Sequence, residues 1–469
     1  MELWWIWFGA VQALGEACSR RRTFCWMTLM LAGLSIRTDL AGVSSVVRAL
    51  GLSEVCYRRL LHLCHSPGLS VTRLRRCWVR WVLGHFSPRR VGGRLVVIGD
   101  GLKVAKEGRK MPAVKKLHQS SQNNSKAAYI FGHSFQALGL LVAGPLGHLL
   151  CVPLISEIHE GVVFSNRDQR TLLDKFARLF VELSQDLESG VVLVADAYYA
   201  SAKVVRPLLK RGHHVLSRVR RNSVAYEPAA PSDRSGPGRP RFYGKKLRLW
   251  EVWETLSAHF HSAPSPVYGE TTVTLRYYSC ELLWRPIGCL VRFVWVEHPT
   301  RGRLILMCTD RGLSALEIIA AYGYRFKIEI AFKQALYTLG SYGYHFWMKV
   351  MQPRSQRSGN QHLHRTSDDY RRLVRRKLDA YHRYVLLGCI AQGLLQYLAL
   401  TYRVQVWRAF RSWLRTMNPA RPPSEAVVAQ ALRNALPEFL LTAPEGHDLK
   451  KFIVDHTDFD RSPLCQAAA

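Results

Sequence analysis

Two short runs without a polar residue, Leu95-Val-Val-Ile-Gly99 and Val191-Val-Leu-Val-Ala195, limit the possible fold more than any other feature of this chain. A strand with one face in water alternates polar and apolar residues, whereas a strand covered on both faces reads as unbroken apolar sequence. Each run therefore predicts an interior strand with structure packed above and below it. Further strands are expected at 129–135, 138–143, 214–219 and 304–308, and helices at 170–187, 203–210 and 314–339. Strands alternating with helices place the chain in the α/β class, as a mixed sheet flanked by helices.

The ends and one inner segment depart from that pattern. Residues 1–88 read as helical. Within them, 39–51 and 55–63 form two helices around Gly51, with Ser53 as cap and Tyr57, Arg58 and Arg59 displayed on the second. That is the outline of a helix-turn-helix, whose second helix enters a major groove, although a plain helical bundle gives the same pattern. Over 206–248 there are 12 Lys plus Arg and two acids, and 231–241 is a Pro/Gly/Ser-rich linker. Its Gly238-Arg-Pro-Arg241 resembles the core of an AT-hook, which lays Arg239 and Arg241 in a minor groove; an ordinary basic linker reads alike. Runs at 271–284 and 290–298 predict a hairpin or a small β subdomain. The expected organisation is a helical DNA-binding domain at 1–88, a core at 89–350 interrupted by a basic linker and β-rich insertion at about 221–299, and a helical region at 351–469.

Charge narrows the partner. Lys plus Arg (66) exceed Asp plus Glu (34) by 32 in 469 residues. So large a surplus repels itself unless a polyanion neutralises it, and nucleic acid is the leading candidate. The 11 cysteines include no C-x-x-C pair, which fits free thiols in a reducing cytoplasm and excludes the usual zinc spacings. Residues 384–402 are apolar enough to suggest a membrane span. Gln392 and Gln396 lie inside the stretch and Arg383 and Arg403 flank it, so a buried core helix is expected, with no membrane partner.

Each interior run is closed by an aspartate, Asp100 and Asp196, and Glu329 follows inside the stretch 314–339. Two acids at strand ends and one from a late helix could hold two divalent cations against a phosphodiester, with Mg2+ or Mn2+ suited to such hard oxygen ligands. At about 100° per residue, Tyr322, Arg325, Glu329 and Lys333 fall within about 80° of one another on a continuous helix. A solvated face with Arg325–Glu329 and Glu329–Lys333 ion pairs would use the same spacing.

The string Tyr322-x-x-Arg325-x-x-x-Glu329, together with Val97-Ile-Gly-Asp100-Gly and Val194-Ala-Asp196-Ala-Tyr-Tyr199, resembles the signature motifs of DDE transposases of bacterial insertion sequences. It is most similar to the insertion-sequence-four-like group. The resemblance covers roughly residues 90–350. It implies an RNase H-like core with Asp100, Asp196 and Glu329 as catalytic metal ligands, and Tyr322, Arg325 and Lys333 as contacts to DNA. It further implies a cytoplasmic bacterial protein that acts on the nucleoid as a homo-oligomer, a dimer holding paired element ends. Such an enzyme cuts at the element's ends and joins the freed 3′-hydroxyls to target DNA. Two positions depart from the group: Leu336 stands where a Lys is usual, and the strand before the Glu helix lacks a base-handling Trp, Trp295 being the nearest candidate. A non-catalytic sequence-specific DNA-binding protein, a regulator or an inactive element protein, shares the charge and the helix-turn-helix and is the alternative.

Overall fold

The computed structural model describes residues 2–119, 127–187, 189–230, 241–267, 269–270, 272–411 and 418–459. It is mixed α/β, with a large mixed sheet flanked by helices. The chain divides into two compact units, one of Met1–Ser87, Gly101–Gln169 and Glu329–Ala469, the other of Pro88–Asp100 and Arg170–Ile328.

In the second unit, the apolar half of β1 (Arg94–Ala105) pairs in parallel with β5 (Val191–Ala195), and β5 pairs in parallel with β6 (His214–Arg218). All five residues of β5 are fully buried, as the unbroken apolar run requires. Beyond β6 the sheet turns antiparallel through β12 (Gly302–Cys308), β11 (Cys289–His298) and β10 (Thr274–Trp284). β7 (Val224–Pro228), β8 (Tyr243–Arg248) and β9 (His261–Pro264) complete that edge, with the single turn α8 (Val252–Thr255) between β8 and β9. The two runs predicted as a hairpin or subdomain thus form a hairpin that extends the same sheet. Helix α6 (Leu172–Ser184) is opened by a reciprocal cap between Thr171 and Asp174 and packs on α7 (Ala202–Leu209), while α9 (Ala315–Gly323) packs against β5, β6 and β10–β12.

The first unit is built around α11 (Asp368–Thr401), a 34-residue helix whose apolar window is 89% buried within the chain. It is the one described helix long and apolar enough to cross a membrane, and it serves here as a core helix. β4 (Leu149–Ile158) lies against it, as do α2 (Arg21–Ile36), α4 (Val55–His65), α5 (Val71–His85) and α13 (Glu425–Thr442). Gly393 marks one close approach, because a Cβ there would lie 2.2 Å from the Trp78 ring. Helices α1 (Glu2–Gln12), α3 (Ser44–Ala49), α12 (Arg403–Phe410) and α14 (Asp448–Val454), with strand β2 (Lys115–His118), complete the unit.

Several sequence expectations change. Residues 129–135 and 138–143 form one strand, β3 (Tyr129–Ala143), paired to β4, which the apolar pattern alone does not reveal. The glycines that look like breaks are close approaches: a Cβ on Gly132 would lie 2.0 Å from the Val104 carbonyl oxygen, and one on Gly139 2.4 Å from Cys151 Sγ. Ser53 does not cap α4 through its side chain; its hydroxyl lies 3.3 Å from Cys56 Sγ. The predicted helix 314–339 is broken by a 3₁₀ turn at Tyr324–Phe326 before α10 (Lys327–Tyr337). Gly323, a poor helix former followed by bulky Tyr324 and Phe326, precedes the change of winding. The ten described cysteines are free thiols.

Candidate active site

Strand register sets the geometry of the site. Gly99 pairs with Ala195 across parallel strands β1 and β5, so Asp100 and Asp196 follow at the same level on neighbouring strands. The two positions therefore follow paired residues whose strands lie about one strand spacing apart, roughly 4.8 Å. Ala195 pairs in turn with Ser217 on β6, which brings Arg218 to the same level on the third strand.

Each aspartate is held differently. Asp196 leaves the strand in a tight turn: its Oδ1 accepts the Tyr198 N–H at 2.9 Å, and its carbonyl accepts the Tyr199 N–H at 3.1 Å and the buried Ser217 hydroxyl at 2.6 Å. Asp100 faces Arg325, whose Nη1 donates to Oδ2 at 3.0 Å. Both members of this pair are about one-fifth exposed, at 19% and 22%, so water screens the attraction only partly.

Helix α9 carries Tyr322 in its last turn, and the 3₁₀ turn carries Arg325. Residues three apart eclipse in 3₁₀ geometry, and the Tyr322 phenol is hydrogen-bonded to Arg325. Burial raises the Tyr322 pKa, Arg325 and Arg218 pull it down, and Asp196 pushes it up again, which places this phenol near Asp196 as well as beside Arg325. The start of α9 is fixed by a capping box in which the Ser314 hydroxyl accepts the Glu317 N–H at 3.3 Å and the Glu317 carboxylate accepts the Ser314 N–H at 2.8 Å. Asp100, Asp196, Arg218, Tyr322 and Arg325 therefore form one polar cluster at the end of an apolar sheet. Beside it, Leu173, Tyr198, Ser201, Arg220, Ser223 and Trp284 line a cavity of about 250 Å3.

Glu329 is exposed in the first turn of α10, and Lys333 is exposed one turn later. Among the described residues no three His, Cys, Asp or Glu side chains are gathered to hold a metal ion; the two register-matched aspartates are the acids the fold brings together. Adjacent carboxylates are the hard oxygen donors that Mg2+ and Mn2+ prefer, so this pair fits such an ion. Trp295 is fully buried, with its indole N–H donated to the Leu249 carbonyl at 2.6 Å, and is closed to an incoming base. Arg58 and Arg59 are exposed on α4, Arg241 is exposed at the start of a described segment, and Arg239 lies outside the described residues. Arg218 and Ser217 escape sequence reasoning because only the β5–β6 register reveals their place.

The family model described as DDE superfamily endonuclease matches residues 13–279, more than half of the chain. The matched segment contains Asp100 and Asp196 and ends before Tyr322, Arg325 and Glu329. No curated protein matches the chain significantly. With both aspartates inside the match and side by side in the fold, the chain belongs to the DDE superfamily endonuclease family.

Proposed function

We propose that this endonuclease is the transposase of an insertion sequence of the four-like group, binding the element's ends, cutting them and joining them to target DNA. The observation that carries the reading is the register-matched pair Asp100 and Asp196 beside the Tyr322–Arg325 couple. An excess of 32 positive charges supports a polyanionic substrate.

DDE superfamily nucleases generally use divalent metals. Here Asp100 and Asp196 would hold the ion, Mg2+ or Mn2+ and two ions in the full reaction, with Glu329 as the third ligand. When bound, such ions lower the pKa of water and stabilise a leaving oxygen. The remaining roles belong to the chain's own groups. Ser217 and the Tyr198 and Tyr199 amides fix the Asp196 turn, so its carboxylate needs little reorganisation. Arg325 pairs with Asp100 until the substrate arrives and then turns to the phosphate beside the scissile bond, where Tyr322 orients it. Lys333, Arg58, Arg59, Arg239 and Arg241 contact the DNA backbone, and two copies of the chain hold the two ends together.

The test is a nicking assay on supercoiled DNA carrying the element's own flanking repeats, with the full chain and Mg2+ or Mn2+. Cleavage at the repeat ends, followed by joining to a second DNA, is expected. Binding without cleavage under both metals would favour the non-catalytic alternative.

A further inference from the structure

We propose that the hollow between the start of α2 and the outer face of α4 is a phosphate site for a nucleic-acid backbone, an inference that rests on the nucleic-acid reading above. The hollow measures about 430 Å3, and its lining includes Arg20, Arg22, Arg59, His62 and Gly68.

Its floor is a cradle of hydroxyls. A Cβ on Gly68 would lie 3.0 Å from Ser19 Oγ, 3.2 Å from Ser66 Oγ and 3.3 Å from Thr23 Oγ1. Three side-chain hydroxyls thus crowd closely around Gly68, where only a residue without a side chain fits without displacing them. The loop is held in place, since the Ser19 N–H donates to the Gly68 carbonyl at 2.9 Å and the Gly68 N–H donates to the Ser66 hydroxyl at 3.1 Å. Hydroxyls gathered this closely can turn their O–H groups to the oxygens of a phosphate.

The charges around the cradle lack the partner they call for. Arg20, Arg21 and Arg22 open the 16-residue α2, whose first turn has no acid and whose start has no side-chain cap. Cations at that end oppose the helix dipole. Arg21 is matched by Asp448 at 2.6 Å. Among the described residues Arg20, Arg22 and Arg59 make no ion pair. An anion seated over the hydroxyls would satisfy these three cations and the dipole together. The same helix α4 shows Tyr57 and Arg58 to solvent, so a backbone anchored here would run along its exposed face.

The experiment uses the full chain and two probes, inorganic phosphate against a chloride control and a mixed-sequence DNA duplex across a salt series. It compares wild type with Gly68→Val, which fills the cradle without altering charge, and with Arg22→Gln/Arg59→Gln, whose surface positions spare the fold. Phosphate should bind wild type saturably by calorimetry and at least tenfold more weakly in both variants. Duplex affinity should fall in both, and the slope of log K against log salt should lessen by about 1 for each DNA phosphate that is no longer neutralised. Equal phosphate binding by all three proteins, or by none, overturns the site; if Gly68→Val is misfolded, the arginine variant decides. Loss of phosphate binding with an unchanged duplex slope overturns the backbone assignment and leaves free phosphate as the ligand. A wild type that binds phosphate in this pattern but no duplex overturns the nucleic-acid reading of the whole chain, and the backbone assignment with it, while the cradle stands.

Discussion

At the scale of single residues, the site depends on groups that no motif announces. The buried Ser217 hydroxyl holds the Asp196 carbonyl. Ser217→Ala should cost about 1 kcal/mol, the usual net value of such a bond, read from urea denaturation, and should slow cleavage as the turn loosens. A variant with wild-type stability and rate would show that the bond is idle. Two imidazoles, His133 fully buried and His382 partly buried, give the chain an acid limit. His133 accepts from the Tyr344 hydroxyl at 2.7 Å while donating to the Pro112 carbonyl at 2.8 Å, and His382 Nε2 accepts the Ile158 N–H at 3.1 Å. Both arrangements need a neutral ring. Burial, reinforced by the Lys106 charge, pushes the His133 pKa down to about 3, and burial pushes His382 down to about 4. On acidification the unfolded chain therefore takes up protons first, near pH 6.5. Stability from these groups should be complete above that value and fall as the pH drops from about 6.5 towards 4. Denaturant midpoints measured across that interval check the sign, and a flat profile would contradict it.

At the scale of elements, the strands that matter most are the easiest to foresee. Burial on both faces leaves a compositional trace, and an aspartate closing such a run stands out. Longer-range features leave no such trace. The side-by-side placement of Asp100 and Asp196, and the arrival of Arg218 beside them, depend on pairing register, which sequence does not display. The break between α9 and α10 is hidden because helical arithmetic assumes uniform winding, whereas the chain tightens at Tyr324–Phe326. Gly132 and Gly139 read as interruptions because a glycine admitting a neighbouring strand looks the same in sequence as one that ends a strand. Two substitutions test these elements. Ser314→Ala removes the capping box before the Tyr322 turn and should cost about 1 kcal/mol, with cleavage falling as Tyr322 and Arg325 lose their fixed start. Gly139→Ala forces a Cβ against Cys151 Sγ and should destabilise the chain by roughly 1–3 kcal/mol. Thermal denaturation reads both, and unchanged midpoints would refute the roles given to the cap and the glycine.

At the scale of the whole molecule, charge and catalysis make separate demands. A chain with 32 excess positive charges should bind duplex DNA through many phosphates. Its affinity should drop by about 10³–10⁵ between 50 and 200 mM salt if six to ten phosphates are neutralised. A nearly level salt response would mean that the surplus serves another purpose. Catalysis requires only a few residues, and the two aspartates can be removed without disturbing most of that binding surface. The decisive measurement is therefore cleavage and end binding side by side for Asp100→Asn, Asp196→Asn and Glu329→Gln, each in Mg2+ and in Mn2+. Cleavage should fall to background in all three while end affinity stays within a few fold of wild type. Metal-dependent cleavage at the wild-type rate in either aspartate variant would contradict the assignment of the register-matched pair as the catalytic centre.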